Sequence, residues 1–246
     1  MERPAGAAAP LPWRDRAPLL LGHRGAPRLA HENTLASFRA ALLAGLDGLE
    51  TDLQRTSDGA LVISHDPYLH GDDGAPDAFI AKLALAEVRR REPAMLDLGD
   101  LRAFMEAFPA ALVNLELKTA APFDDTRAAE LARELGGWPE AVRRRLWLSS
   151  FDPLQLLTLA ATRPDVPLAF LAFDATALAL LPSLPVVAVH PHHSLVTAER
   201  MSAWRAAGLA VFVWTVNDVE LSRRLLGLGV DGLIGDVPEA LLAARR

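Results

Sequence analysis

Apolar and polar positions along the chain fall into two alternating textures. Short runs rich in Leu, Val and Ile occupy 18–23, 48–54, 61–64, 111–117, 146–150, 167–172, 185–190, 209–215 and 231–235. Between most of them lie longer stretches with Leu, Ala and Phe at three- and four-residue spacing, over 34–45, 98–108, 126–135, 153–162, 198–207 and 218–228. The short runs predict strands and the longer stretches amphipathic helices. Their alternation predicts a parallel sheet.

One pair of strands breaks the pattern. Only Thr56, Ser57, Asp58, Gly59 and Ala60 separate run 48–54 from run 61–64. A parallel crossover needs a dozen or more residues, whereas a Ser-Asp-Gly turn suits an antiparallel hairpin. Setting the hairpin strand aside leaves eight parallel strands, the number that closes a (β/α)8 TIM barrel of about 250 residues. The competing arrangement is an open doubly wound sheet. Residues 66–93 fit no barrel unit, because Gly71-Asp72-Asp73-Gly74-Ala75-Pro76 is turn chemistry and only 83–91 has helical spacing. The expectation is an α/β fold, one TIM-barrel domain over 1–246, with a hairpin after strand 2 and a small insertion at 66–93 near the barrel mouth.

Composition narrows the class. The 246 residues are 51% apolar and 23% charged, enough to bury a sizeable core. Lys and Arg number 25 against 31 Asp and Glu, a net charge of 25 − 31 = −6. That balance opposes a nucleic-acid partner, and the Arg clusters at 89–91 and 143–145 read as solvated helix faces. The absence of Cys removes disulfides, thiolate metal sites and a cysteine nucleophile, and fits a reducing compartment. The apolar run Leu19-Leu20-Leu21 is cut off by Gly22-His23-Arg24, so no signal-peptide core is readable, and no apolar stretch approaches about 20 residues. A soluble cytoplasmic protein without stable membrane association is expected.

Barrel enzymes place their chemistry at the C-terminal ends of the strands. Here successive runs end in His23-Arg24, Glu50-Thr51-Asp52, His65-Asp66, Glu116-Leu117-Lys118, Ser149-Ser150, His190-Pro191-His192, Trp214 to Asn217, and Gly235-Asp236. Period two puts Glu50 with Asp52, and Glu116 with Lys118, on single faces. Three inward carboxylates repel one another at low dielectric, and a hard divalent cation resolves the conflict. Oxygen donors without Cys favour Mg2+ or Ca2+ over Zn2+. Outward carboxylates paired with helix cations are the structural alternative.

A hairpin centred near Asp58 makes opposing residue numbers sum to about 116, which sets His65 across from residue 51 and beside Glu50 and Asp52. His23, ending strand 1, approaches from the neighbouring strand. Taken singly, each His reads as a hydrogen-bonded rim residue. Converging on three carboxylates, the two imidazoles suit general acid and base work. Arg24 and Lys118 add positive charge and point to an anionic small molecule, with phosphate esters leading. Arg24 pairing with Glu32, and Lys118 with Glu116, would be compatible with that role. Asn33 or Thr34 is a helix N-cap candidate. The cluster His190-Pro191-His192-His193 is a poor chelating face and is expected at the pocket rim or capping the next helix. The five Trp are scattered, as core and pocket walls would be.

The order His23-Arg24-Gly25, Glu32-Asn33-Thr34, Glu50-x-Asp52, His65-Asp66 and Glu116-x-Lys118 resembles the glycerophosphodiester phosphodiesterases, and 231–238, Asp-Gly-Leu-Ile-Gly-Asp-x-Pro, extends the likeness. The resemblance implies a (β/α)8 barrel and metal-dependent hydrolysis of glycerophosphodiesters to sn-glycerol 3-phosphate and an alcohol. It implies Glu50, Asp52 and Glu116 as ligands of one cation, Mg2+ or Ca2+, and His23 and His65 as the acid/base pair. Arg24 and Lys118 would hold the phosphate and Trp214 would wall the pocket. The glycerol hydroxyl may attack first in such enzymes, giving a cyclic phosphate that water opens. Two departures stand out: Tyr68-Leu69-His70-Gly71-Asp72-Asp73 replaces a basic residue and threonines, and Gly235 stands where Thr is frequent. The rivals are a same-fold phosphodiesterase acting on lysophospholipids or phosphoinositides, and a non-catalytic phosphate-ligand module.

Overall fold

The computed structural model describes residues 11–16, 18–71, 73–118, 126–162 and 165–245. The leader reading over 1–10 and Ala17, and Asp72 of the expected turn, lie outside the described residues. Eleven strands are present among them: β1 Leu19–His23, β2 Gly48–Arg55, β3 Leu61–Ile63, β4 Tyr68–His70, β5 Pro76–Phe79, β6 Leu112–Leu117, β7 Leu146–Ser150, β8 Leu168–Ala172, β9 Ala188–Pro191, β10 Ala210–Val213 and β11 Gly232–Gly235. The helices are α1 Leu35–Ala44, α2 Leu85–Arg91, α3 Leu98–Ala107, α4 Arg127–Gly136, α5 Glu140–Arg143, α6 Pro153–Thr162, α7 Ala175–Leu178, α8 Ala198–Ala206, α9 Val219–Gly227 and α10 Pro238–Arg245. No helix among the described residues is long and apolar enough to cross a membrane.

Eight strands pair in parallel in the order β1-β2-β6-β7-β8-β9-β10-β11, and β11 pairs with β1 to close the cylinder. This is the (β/α)8 TIM barrel, not the open sheet. β3 lies antiparallel on β2 with Leu53 opposite Ile63, Gln54 opposite Val62 and Arg55 opposite Leu61, the expected register summing to 116. Ser64 N donates to Asp52 O at 3.1 Å and carries the pairing one step toward His65.

Period two sorts the strand residues. Leu49, Leu53, Val113, Leu115, Leu148, Phe170, Val189, Val211 and Leu233 face the helices in one continuous core. Leu19, Leu21, Leu112, Trp147, Ala169, Ala188, Ala210, Phe212 and Ile234 fill the barrel interior. Each interior series ends, two residues on, in a polar or aromatic group: 19-21-His23, 112-114-Glu116, 210-212-Trp214 and 232-234-Asp236. The same alternation that packs the floor therefore aims the site.

Several features depart from expectation. Residues 66–93 contain a small two-stranded sheet, β4 on β5, before the helix. Its strands are three and four residues long, too short for a periodic signal. Trp13, expected only as scattered core, seats edge-on against Trp147 at 5.3 Å and Phe212 at 5.2 Å and closes the barrel floor. The Arg143–Arg145 cluster is not simply a solvated face, since the Arg145 guanidinium donates to the carbonyls of Met105, Phe108 and Ala111 and secures the end of α3.

Candidate active site

The mouth of the barrel is built from strand ends and the loops after them. β1 delivers His23 and then turns sharply. Gly25, at φ +91, sits where a Cβ would stand 2.4 Å from Ser37 Oγ, so only glycine lets this turn rest on α1. Ser37 Oγ accepts from Ala26 N and donates to Arg24 O, locking the turn to the helix. Thr34 is the N-cap of α1, its hydroxyl accepting from Ser37 N. Asn33 does different work. At φ 56 it reaches inward, donating from Nδ2 to Asp52 Oδ2 at 3.0 Å and accepting from Thr51 Oγ1 at 2.7 Å.

β2 and β6 are register partners, Glu50 beside Asn114 and Asp52 beside Glu116. Glu50, Asp52 and Glu116 are all buried, with one oxygen of each within 4.8 Å of the others. Lys118 Nζ stands 2.8 Å from Asp52 Oδ1 and 2.7 Å from Glu116 Oε1, close enough to pair with both but without hydrogen-bond geometry. Glu50 Oε1 is buried with no hydrogen-bond partner. Arg24 donates from Nη1 to Glu32 Oε1 at 2.9 Å, and its Nε lies 3.4 Å from Asp52 Oδ2. The expected Arg24–Glu32 and Lys118–Glu116 pairs are thus both present.

Charge is unevenly satisfied here. Burial, reinforced by the Asp52 charge, pushes Glu50 up to about 8. Burial would also raise Asp52, but Lys118 and Arg24 outweigh it and hold the group down at about 2. Glu116 is raised, chiefly by burial. With Glu50 ionised the core counts three carboxylates against two cations, −3 + 2 = −1, so it is short of positive charge.

The two histidines flank this core with the same device. His23 Nδ1 lies 2.7 Å from Asp236 Oδ1 and His65 Nδ1 lies 2.8 Å from Asp66 Oδ1. A carboxylate on Nδ1 keeps a proton there and leaves Nε2 to work. His23 Nε2 is 3.9 Å from Glu50 Oε2. Burial opposes the imidazolium at His23, yet the Asp236 hydrogen bond and Glu50 outweigh it and raise its pKa. At His65 burial and the Lys118 charge lower it. Both rings line one cavity of about 220 Å3 with Glu50, Glu116, Arg24 and Lys118, walled on the apolar side by Phe151, Leu171 and Trp214.

Every expected site residue, His23, Arg24, Glu50, Asp52, His65, Glu116, Lys118 and Trp214, stands at this mouth. The His190–His193 expectation needs correction in part. His192 does cap the next turn, accepting from Ser194 N, but His190 is buried in the barrel interior, where Trp147 Nε1 donates to its Nε2 at 3.3 Å. Asp236 carries a role that the sequence did not assign, although its place two residues past Ile234 on the interior series was available as a signal. Asn217 fixes it, donating to Asp236 Oδ2 at 2.6 Å and accepting from Asp236 N at 2.7 Å.

Residues 23–240 match the model of the glycerophosphoryl diester phosphodiesterase family. The chain belongs to that family. Among glycerophosphoryl diester phosphodiesterases it is similar to the glycerophosphodiester phosphodiesterase of Caldanaerobacter subterraneus subsp. tengcongensis, at 27% identity over 91% of this chain and 96% of that one. An Oleispira antarctica phosphodiesterase, solved in complex with the product sn-glycerol-3-phosphate, superposes with a TM-score of 0.82 at 28% identity, covering 93% of this chain and 97% of that one. A glycerophosphoryl diester phosphodiesterase structure from Silicibacter pomeroyi gives 0.81 at 26% identity, with 92% of each chain covered. The chain is a phosphoric diester hydrolase of the glycerophosphodiester phosphodiesterase class.

Proposed function

We propose that the chain, as one barrel domain of 1–246, hydrolyses glycerophosphodiesters to sn-glycerol 3-phosphate and a free alcohol, with one divalent cation and with His23 and His65 as its acid/base pair. The observation that carries this reading is the pairing of both Nδ1 atoms with carboxylates, His23 with Asp236 and His65 with Asp66, around a single cavity.

Glu50, Asp52 and Glu116 fit a hard cation. The donor set is all oxygen, Glu50 Oε1 has no partner, and the core charge of −1 calls for a dication. Mg2+ or Ca2+ is the expected ion, and when bound it supplies charge to polarise the phosphoryl oxygens. Adding its two charges gives −1 + 2 = +1, which a singly charged phosphodiester neutralises.

The chain's own groups do the rest. Arg24 and Lys118 set positive charge against the phosphoryl oxygens, and Trp214 gives the glycerol carbons an apolar wall. One imidazole takes the proton of the attacking hydroxyl through its free Nε2 as the new P–O bond forms. The other gives a proton to the departing alkoxide as the old P–O bond breaks. Asp236 and Asp66 hold each ring in the tautomer the transfer requires. A cytoplasmic setting is part of this reading.

The test is to incubate the purified chain with glycerophosphocholine, glycerophosphoethanolamine, glycerophosphoglycerol and lysophosphatidylcholine, with Mg2+, with Ca2+ and with chelator. Release of sn-glycerol 3-phosphate that stops with chelator is expected. Turnover of none of the glycerophosphodiesters would overturn the reading. Preference for lysophosphatidylcholine would favour an acylated substrate instead, a possibility raised by Phe173, which is 62% exposed with its ring 6.1 Å from Trp214.

A further inference from the structure

The small sheet that interrupts the barrel reaches back to the acid/base pair. Asp66 accepts on both oxygens: Oδ1 lies 2.8 Å from His65 Nδ1 and Oδ2 lies 2.9 Å from His70 Nε2. His70 ends β4, and its other ring nitrogen, Nδ1, lies 2.9 Å from the carbonyl oxygen of Gly74. A carboxylate oxygen and a carbonyl oxygen can only accept, so two hydrogen bonds from one imidazole require a proton on each nitrogen. His70 meets that requirement only as the imidazolium.

We infer that His70 is a positioning residue for the reaction: as a cation it braces the second oxygen of Asp66, and Asp66 in turn fixes the ring of His65 that works at the cavity. The inference rests on the role of His65 proposed above.

The surroundings suit a cation. The other titratable groups lining the adjoining cavity of about 770 Å3 are His31, Glu32, His65, Asp66, Tyr68 and Glu92, with no Lys or Arg among its lining residues. The Tyr68 ring packs edge-on against His70 at 5.3 Å. The Gly74 carbonyl, with the Asp66 carboxylate, raises the His70 pKa. The turn that presents this carbonyl is itself tied down, Gly71 N donating to Ala75 O and Gly74 N to Gly71 O, each at 2.9 Å. An element outside the barrel thereby sets a side chain inside its mouth, and the hydrogen bonds along the path are each of ordinary length.

Two measurements test this on the full chain. Nitrogen-15 histidine spectra, with His70 assigned from His70→Gln, are expected to show His70 doubly protonated at pH 7 and His65 held as the Nδ1–H tautomer. In His70→Gln the His65 signal is expected to move toward a tautomer mixture. Kinetics on glycerophosphocholine are expected to show kcat lowered about two- to fivefold with KM little changed, the scale of an exposed charge pair acting through one neighbour. Asp66→Asn should lower kcat further, and adding His70→Gln to it should cost nothing more. A neutral His70 at pH 7, or an unmoved His65 tautomer in His70→Gln, overturns the inference. Because the spectra need no substrate, an inactive enzyme would sink the proposed function and leave this test standing.

Discussion

His23 Nδ1 and Asp236 Oδ1 are 2.7 Å apart across 213 residues of chain. Barrel closure makes the contact, since β1 and β11 pair with Gly22 beside Gly235. Replacing Asp236 with Asn turns one oxygen into an amide donor. That donor must face either His23 Nδ1–H or the Asn217 amide that now donates to Oδ2. We expect Asp236→Asn to lower kcat by about 10- to 100-fold, with a modest change in KM. The limb of the pH profile governed by His23 should also move to lower pH, because the hydrogen bond that raises its pKa is weakened. Wild-type kcat and an unmoved profile would refute the pairing as a catalytic device.

Cation binding should register as stability. At about 100 times its Kd, a ligand of the native state adds about 2.7 kcal/mol. For a chain of 246 residues that is a rise of about 5–10 °C in Tm, reversed by chelator. Glu50→Gln and Glu116→Gln should shrink the rise. Scanning calorimetry with and without Mg2+ or Ca2+ makes the comparison, and an unchanged Tm would remove the cation from the site.

His190 should make the fold acid-sensitive. Its burial among Trp147 and Phe212 lowers its pKa from 6.5 to about 3. Protonation would also set an N–H of the ring against the Trp147 N–H. The folded value lies below the unfolded one, so the unfolded chain binds the proton first. This contribution is complete above about pH 6.5 and is lost as pH falls toward 3, at up to about 1.4 kcal/mol per pH unit. Urea melts of wild type and His190→Gln between pH 7 and 5 should diverge in slope. Parallel curves would contradict the assignment.

Gly235 should not accept the Thr that its relatives' motif often carries. A Cβ there would stand 2.0 Å from the Val216 carbonyl oxygen. We expect Gly235→Thr to cost about 1–3 kcal/mol in urea unfolding and to lower kcat by displacing the adjacent Asp236. A variant as stable and active as wild type would show that the 216 loop yields freely.

What the sequence by itself determined is what neighbours in the chain encode. Strand runs alternating with helical stretches specified the barrel, because burying one stripe of each helix against a parallel sheet leaves few other solutions. Period two specified which residues look inward, so Glu50 and Asp52, Glu116 and Lys118 could be paired by number alone. The Ser-Asp-Gly turn set the hairpin register and brought His65 to its place. Tertiary structure decided what depends on closure and on short elements. Asp236 meets His23 only because the last strand returns to the first, and no local pattern records that contact. Trp13 closes the floor through ring contacts with residues more than 100 positions away. The β4–β5 pair, and with it the His70–Asp66–His65 chain, rests on strands too short to carry a period. His190 follows the inward alternation of β9, but whether that position is wet rim or dry interior depends on how deep the strand sits in the barrel. Depth is fixed by strand stagger, which the chain acquires only when the cylinder closes.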